Sequence, residues 1–318
     1  MINLRISNYQ GQYTHLNGDK VQRVSPFDLA RAIVTIGKKS WSDTFNQGIF
    51  RIGELICKAF AFSKMENGNL VLNERFYSLN QSEKGTVSYY FGQGLTKLFA
   101  EEFFNIKWLF HFDDYEDIIT VFKRGTVNPK IRIGKSIKPA ARPDLIGFQQ
   151  IDRSFIFEAK GHSWGYKKDI MQHAIDQVSQ VKTYNGIIPE ARTACYFDLS
   201  KKPIKGTIID PDDNDIGIDI ELKENIAIER YYSFFVENQK YFSDYYNYRG
   251  YEFLTTPVGA PNIFFGFDKR ILQLSSKDLL TKGLYDNTSD FSETYKRNNR
   301  NISIGLDGII LLDNNYHS

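Results

Sequence analysis

The residues of this chain best suited to chemistry are two carboxylates and an amine, Asp144, Glu158 and Lys160. Two apolar segments, Leu145–Phe148 and Phe155–Phe157, lie between the carboxylates on either side of a polar turn, and this pattern predicts a β-hairpin. Because alternate residues of a strand share a face, Glu158 and Lys160 point the same way. The hairpin would therefore gather three charged groups at its open end, where they could hold a divalent cation beside a scissile phosphate.

This stretch resembles the PD-(D/E)XK nuclease superfamily, with Pro143–Asp144 as the PD and Glu158–Lys160 as the (D/E)XK. The resemblance covers residues 91–200, roughly a third of the chain. It implies an α/β fold built on a restriction-endonuclease-like core, in which helices flank a mixed central sheet. It also implies a metal-dependent phosphodiesterase that acts on DNA.

The same resemblance implies a role for each residue of the motif. Asp144 and Glu158 would bind Mg²⁺, helped by the carbonyl of Ala159, and Mn²⁺ would serve as a substitute. Lys160 would position the attacking water or offset charge in the transition state. No Gly-rich phosphate loop or Ser-His-Asp arrangement competes with this interpretation, and the His and Cys residues are too scattered for a zinc site.

A second match to the pattern lies at Pro211–Asp212 and Glu221–Lys223, around the acidic run Asp210–Asp219. Its Pro-Asp pair has the composition of a turn, and its Glu-Leu-Lys predicts the opening of a helix. Because a motif depends on its structural context, we interpret this second match as inert.

A helix rich in aromatic residues is predicted over Val87–Phe104, followed by a strand over Ile106–Phe112. In the nuclease family a helix precedes the first core strand and often carries an extra acid. Glu101 and Glu102 are the acids of this helix, near its end. They are either site residues or exposed carboxylates.

A second helix is predicted from Lys168 to Tyr184, with an apolar stripe on one side. Gln180 and Tyr184 share its polar face and resemble the QxxxY element of RecB-like nucleases, which implies that they orient the substrate or Lys160. A β-type run at Thr193–Leu199 follows. This strand–helix–strand order predicts a parallel crossover.

Four residues are candidates for contact with nucleic acid: Lys135, Lys138, Arg142 and His162. The first two belong to the most basic window of the chain, which leads into the PD motif and suits a polyanionic backbone. An exposed strand edge would have the same composition. His162 follows Lys160 by two residues, and its alternative is a solvated loop histidine.

The composition indicates a class of protein. The chain has 318 residues, 42% of them hydrophobic, and a net charge of only +2, so any basic surface must be local. Cys57 and Cys195 lie in apolar surroundings and are expected to be buried thiols. No signal-peptide core and no apolar run of bilayer length occur, so we expect a cytoplasmic protein without membrane contact.

No Ser/Gly/Pro-rich linker divides the chain, and we predict one compact body in three parts. These are a mostly helical extension (1–86), the nuclease core (87–200) and an α+β extension packed on the core (201–318). The extensions would supply target choice, a protein partner contact or a homo-oligomer contact. We expect a restriction or defence nuclease; the alternatives are a non-catalytic member that binds nucleic acid or protein, and a scaffold with an accidental motif.

Overall fold

The structure is a computed structural model that describes residues 1–36, 48–123, 130–131, 142–150, 152–212, 217–285 and 301–314. Within them the helices are α1 (Pro26–Thr35), α2 (Ile49–Phe62), α3 (Glu74–Tyr77), α4 (Gln81–Phe104), α5 (Lys168–Ser179), α6 (Glu224–Glu237) and α7 (Ser276–Lys282). The strands are β1 (Ile2–Ser7), β2 (Gly18–Gln22), β3 (Ser63–Glu66), β4 (Asn69–Leu72), β5 (Trp108–His111), β6 (Ile119–Lys123), β7 (Lys130–Ile131), β8 (Leu145–Gln150), β9 (Arg153–His162), β10 (Val181–Tyr184), β11 (Ala191–Asp198), β12 (Lys205–Ile209), β13 (Ile218–Leu222), β14 (Asp244–Tyr248), β15 (Tyr251–Val258), β16 (Ala260–Asp268), β17 (Ile302–Ile304) and β18 (Ile309–Asp313).

A seven-stranded mixed sheet forms the centre of the protein, in the order β2-β1-β12-β11-β9-β8-β5. Strands β9 and β11 are parallel, as are β1 and β12, and the other neighbouring pairs are antiparallel. The chain passes from β9 to β11 through α5 and β10, which confirms the predicted parallel crossover. Helices α4 and α5 pack against β9, so the predicted mixed α/β architecture is confirmed.

Strand β1 brings the N-terminal segment into the central sheet. Ile2, Leu4 and Ile6 are buried, whereas Asn3 and Arg5 between them are exposed. This alternation is typical of a strand with one face on the core and one face in solvent. The N-terminal extension therefore contributes two strands, β1 and β2, which the prediction of mostly helical structure missed.

Two further sheets lie outside the central one. The first has the order β10-β13-β6-β7, and the second is an antiparallel sheet with the order β14-β15-β16-β18-β17. Helix α6 covers the second sheet, where the ring of Phe235 packs against Phe265 and Phe267. Among the described residues, no helix is long and apolar enough to cross a membrane.

The predicted helix that begins at Lys168 ends at Ser179, so its extension to Tyr184 is wrong. The residues after Gln180 form β10, which pairs in parallel with β13. The guanidinium of Arg192 binds the carbonyl oxygens of the first two residues of β10, at 2.5 and 3.2 Å. These tertiary contacts override a helical periodicity that is only a weak preference.

The expected burial of both cysteines is half right, because Cys195 is buried but Cys57 is exposed. Cys57 belongs to α2, whose buried face follows helical spacing and does not include it. The buried apolar residues of that face are Ile52, Leu55, Ile56 and Ala59. An apolar neighbourhood in sequence therefore did not mean burial in the helix.

Helix α4 begins at Gln81 rather than at the predicted Val87. Asn80 and Glu83 form a reciprocal capping box, in which each side chain accepts from the other's backbone N–H at 3.0 and 3.1 Å. Residues 81–86 therefore belong to the first turns of the helix. This lengthens the helix to 24 residues, so it spans the width of the core.

Helix α4 packs onto β9 through its backbone, at Gly92 and Gly161. A Cβ atom on Gly92 would lie 2.4 Å from the backbone nitrogen of Gly161, and one on Gly161 would lie 1.9 Å from the carbonyl oxygen of Ser88. No side chain fits at either distance, so the approach requires glycine on both elements. Because Gly161 follows Lys160 directly, this contact sets α4 against the charged end of β9.

A buried ionic cluster joins α1, α4, α6 and the turn between β17 and β18. The Lys97 ammonium and the Tyr231 hydroxyl each bind Asp307 Oδ2 at 2.6 Å. Arg31 forms two hydrogen bonds to Glu101, at 2.6 and 3.0 Å. Burial raises the pKa of Asp307, but Lys97 and Arg31 outweigh it and hold that pKa below its usual value. The carboxylate therefore stays charged inside the core.

Two alanine substitutions in the same helix test the contact between α4 and β9. We expect Gly92→Ala to lower the free energy of unfolding by about 1–3 kcal/mol, because the added methyl overpacks a backbone contact. Gly85→Ala is the matched control, since a Cβ there meets no atom within 4 Å. It should leave stability unchanged or raise it by up to about 1 kcal/mol. Urea denaturation measures both; equal stabilities would contradict the packing described.

Candidate active site

The two predicted metal-binding carboxylates meet where the pairing of β8 with β9 ends. The last pair is Leu145 with Phe157; Asp144 directly precedes β8, and Glu158 follows Phe157 in the middle of β9. The backbone N–H of Asp144 donates to Glu158 Oε2 at 2.7 Å, and that of Ala159 donates to Asp144 Oδ2 at 3.3 Å. The hairpin predicted from the apolar pattern therefore does bring the carboxylates together.

Lys160 joins both carboxylates. Its Nζ binds Glu158 Oε1 and lies 4.0 Å from Asp144 Oδ2. The side chain of Glu158 is 0% exposed, whereas those of Asp144 and Lys160 are 22% and 25% exposed. The cluster therefore has a buried base formed by Glu158 and an opening to solvent lined by the other two residues.

The positive charge in this cluster does not fully offset the negative charge of the buried Glu158 carboxylate. Burial and the charge of Asp144 raise the pKa of Glu158 well above its usual value, although Lys160 opposes the shift. Burial lowers the pKa of Lys160, but the charges of Glu158 and Asp144 outweigh it and raise that pKa. One ammonium thus faces two carboxylates, and the cluster favours a further cation.

Gln93 is a site residue that sequence reasoning missed. Its side chain extends from α4, is fully buried, and donates from Nε2 to Asp144 Oδ2 at 3.3 Å. Its Oε1 is buried and has no hydrogen-bond partner within the described structure. The sequence did carry a signal, because Gln93 stands between Gly92 and Gly94 in a helix that is otherwise rich in apolar residues.

The expected extra acid on α4 is not at the site. Glu101 lies eight residues beyond Gln93, roughly 12 Å along the helix axis, and it binds Arg31 instead. Glu102 lies one residue farther from Asp144 along the same helix. The hypothesis of an acid at the end of α4 is therefore wrong in geometry, and Gln93 occupies the place that faces Asp144.

The residues of the QxxxY element do not share a helix face. Gln180 is the C-cap of α5, and Tyr184 is a buried residue at the end of β10. The Tyr184 ring packs 5.1 Å from that of Phe148, which is four residues, or roughly 13 Å, along β8 from Asp144. A different glutamine of α5, Gln177, reaches the motif and donates to the Arg142 carbonyl at 2.8 Å.

Arg142 acts within the protein rather than at its surface. It is buried, and its guanidinium binds the carboxylates of Asp113 and Glu116. It also lies over the ring of Phe112. The backbone N–H of Phe112 in turn donates to the Asp144 carbonyl at 2.8 Å. This geometry holds the segment before β8 in place and does not support the expected phosphate contact of Arg142.

His162 is the last residue of β9 and lies on the strand face of Glu158 and Lys160. It is half-buried, and its Nδ1 accepts from the backbone N–H of Trp164 at 3.3 Å. The structure thus keeps His162 beside the opening of the cluster, where contact with a substrate stays a prediction. Lys135 and Lys138 lie outside the described residues.

The second motif match belongs to a different sheet. Glu221 is an exposed residue of β13, paired with Thr120 of β6. The helix predicted to open at Glu221 begins at Glu224 instead, because Ile218–Leu222 forms a strand. Glu221 therefore lies outside the central sheet that carries Asp144, Glu158 and Lys160, as the interpretation of the second match expects.

The cluster suits magnesium better than zinc. Among the described residues, no group of three or more His, Cys, Asp and Glu side chains could hold a metal ion. Magnesium, however, is usually held by one or two carboxylates together with water and substrate phosphates. The orphaned Gln93 Oε1 would accept a hydrogen bond from such a water, so Asp144, Glu158 and Gln93 fit a hydrated cation.

The raised pKa of Glu158 predicts a pH dependence of stability in metal-free buffer. A raised pKa means that the folded state binds this proton more tightly, so stability falls as pH rises from about 4.5 through the folded pKa. Glu158→Gln removes that titration. We expect the variant to gain stability relative to wild type as pH rises.

Urea denaturation over a pH series from about 4 to 8 tests this expectation. Glu221→Gln, at an exposed glutamate in another sheet, is the matched control and should track wild type. A wild type that gains stability over the Glu158→Gln variant as pH rises would contradict the burial described.

Comparison of the chain with protein-family models, curated protein sequences and solved structures gave no match. The function is therefore inferred from the residues themselves, above all from the cluster of Asp144, Glu158, Lys160 and Gln93.

Proposed function

We propose that this protein is a magnesium-dependent nuclease that hydrolyses phosphodiester bonds of DNA. The observation that carries the proposal is the position of Lys160 Nζ, bound to Glu158 and 4.0 Å from Asp144 Oδ2 where the β8–β9 pairing ends. Two carboxylates suit a divalent cation, and an amine beside them suits an attacking water or the charge of the transition state.

The order of elements supports a restriction-endonuclease-like core. Helix α4, strands β5, β8 and β9, helix α5 and strand β11 follow one another as the resemblance implies. The four strands are neighbours in the central sheet and keep their chain order. Strands β6, β7 and β10 belong to the second sheet, and β12, β1 and β2 extend the central sheet beyond β11.

Each residue of the cluster has a task in the proposed reaction. Asp144 and Glu158, with the carbonyl of Ala159, would hold a divalent cation. A bound Mg²⁺ or Mn²⁺ ion would polarise a phosphate oxygen and acidify a water. Because the pKa of Lys160 is raised, its side chain stays protonated and acts as a donor and a positive charge rather than as a base. Gln93 keeps Asp144 oriented.

The sheets outside the core suit a role in target choice. Neither the four-stranded nor the five-stranded sheet contains a residue of the cluster. We propose that they select the DNA or contact a partner, in restriction or in defence against foreign DNA. Gln180 and Tyr184 belong to these outer contacts rather than to catalysis.

A non-catalytic member of the same fold, which binds nucleic acid or protein, is the second candidate. The full burial of Glu158 and its direct contact with Lys160 favour it, because a cation would have to share this carboxylate with the ammonium that already binds it. Cleavage of circular, linear and single-stranded DNA with and without Mg²⁺ or Mn²⁺ separates the two. Metal-dependent cleavage would exclude the non-catalytic candidate.

Replacing the active-site lysine tests the proposed mechanism. We expect Lys160→Ala to reduce cleavage of plasmid DNA by at least about a hundredfold, as loss of one donor that stabilises charge in the transition state costs this much. DNA binding and folding should be retained, since Lys160 lies at the cluster's opening. Lys223→Ala, in the second motif match, is the matched control and should cleave normally. Near-normal cleavage by the Lys160 variant would refute the assigned role.

A metal titration tests the proposed ligands without an activity assay. Magnesium should raise the melting temperature of the wild type. The corresponding gain in the free energy of unfolding is about 2.7 kcal/mol at a hundredfold excess of metal over the dissociation constant. Asp144→Asn removes one charged ligand at nearly constant shape. It should melt at the same or a higher temperature in EDTA and respond little to added metal. An undiminished response of that variant would argue against Asp144 as a ligand.

A further inference from the structure

One row of paired residues crosses the central sheet from the candidate active site toward its far edge. Lys160 in β9 is paired with Tyr196 in β11, and Tyr196 is paired in turn with Thr207 in β12. Arg5 in β1 is the next partner of Thr207. Directly paired residues point to the same face, so Lys160 and Arg5 share one face of the sheet. Three steps of about 4.8 Å separate them by roughly 14 Å.

The far half of this face is open and basic. A groove of about 580 Å³ lies over β12, β1 and β2. Its charged lining residues are Arg5, Lys20, Lys205 and a single acid, Asp19. Arg5 and Lys205 are exposed. The groove therefore presents a net positive charge on the same face as the active-site lysine.

Two exposed aromatic rings stand beside the other end of this row. Trp164 and Tyr166 are 61% and 48% exposed. The ring of Tyr166 packs 5.1 Å from that of Tyr196. The Tyr196 hydroxyl donates to the Gly165 carbonyl at 2.7 Å and accepts from the Lys167 N–H at 3.1 Å. The segment that carries both rings is therefore held against the sheet.

The surroundings of these rings favour an anionic ligand. The ammonium of Lys84 lies 5.7 Å from the centre of the Trp164 ring. Lys167 and Lys168 follow Tyr166 in the chain and are exposed. A patch for an ordinary protein partner would be depleted of lysine. Exposed aromatic rings next to a cationic groove are instead the two elements that hold a single nucleic-acid strand.

We propose that this face binds an unpaired strand, with bases on Trp164 and Tyr166 and phosphates at Arg5 and Lys205. Tyr196 itself is fully buried beneath the Gly165–Lys167 segment, so the strand would pass over Tyr166 on its way from Lys160 to Arg5. The inference deepens the proposed function, on which it rests, by naming single-stranded DNA or the unpaired end of a duplex as the substrate. Bases inside a duplex cannot stack on the two rings.

Fluorescence anisotropy in EDTA tests binding without cleavage. The probes are a labelled single strand of about 20 nucleotides and the duplex of the same sequence. We expect the wild type to bind the single strand at least about tenfold more tightly. Trp164→Ala/Tyr166→Ala should weaken single-strand binding by about thirtyfold or more, because each stacked base contributes at least about 1 kcal/mol.

The matched control is Tyr241→Ala/Tyr245→Ala, which removes two exposed rings far along the chain and should bind as the wild type does. Tighter binding of the duplex, or wild-type binding by the Trp164→Ala/Tyr166→Ala variant, would overturn the inference. So would sedimentation showing a dimer that this variant abolishes, since the rings would then pack against a second copy of the chain.

Salt dependence tests the cationic half of the path. Arg5→Gln/Lys205→Gln should reduce the slope of log affinity against log salt by about 1.4, or about 0.7 for each phosphate contact on a single strand. Lys277→Gln/Lys282→Gln removes the same charge from α7 and should leave the slope unchanged. An unchanged slope in the first variant would overturn the path over β12 and β1.

These outcomes are separable from the proposed function. Binding in EDTA does not depend on the metal, and the variants that test it keep Lys160. Loss of single-strand preference together with metal-dependent duplex cleavage would overturn only this inference. A Lys160→Ala variant that still cleaves would overturn the proposed mechanism and leave the binding results intact.

Discussion

The backbone contact between Gly92 and Gly161 is the constraint on which the candidate active site depends. It sets α4 against the end of β9 with no side chain between them. Gln93 can therefore reach Asp144, which lies 51 residues later in the chain. A larger residue at either glycine would push the helix away from the strand and withdraw the amide from the carboxylate. A packing requirement thus decides the chemistry of the cluster.

The charges of the cluster explain why it suits a binding role better than a structural one. A buried carboxylate is costly unless its charge is fully matched, and Glu158 shares one ammonium with Asp144. The core could use an apolar residue at this position with less cost. Unfavourable electrostatics of this kind are typical of functional sites, because a ligand can relieve them. The cluster around Asp307, where Lys97 and Tyr231 bind the carboxylate directly, has no such deficit.

The parts of the fold that depend on nearby residues were predictable from the sequence. Apolar alternation on both sides of a turn predicted the β8–β9 hairpin and the meeting of Asp144 with Glu158. Gln93 was not found, because its contact depends on the packing of a remote helix. The polar face assigned to Gln180 and Tyr184 failed for a related reason. Arg192 and β13 hold these residues as a strand, and neither partner is visible in the local periodicity.

The ionic cluster at Asp307 has a consequence for how the protein is made. Lys97 lies in the first third of the chain, whereas the carboxylate that its ammonium binds at 2.6 Å belongs to residue 307. Until that residue leaves the ribosome, the nearest carboxylate to Lys97 is that of Glu101, at 3.8 Å, and Glu101 already binds Arg31. Burying the Lys97 ammonium without its main partner would be costly. The N-terminal half therefore cannot complete its packing during synthesis, although N-terminal segments usually fold first. Nascent chains of this protein should depend on chaperones for longer than their helical content suggests.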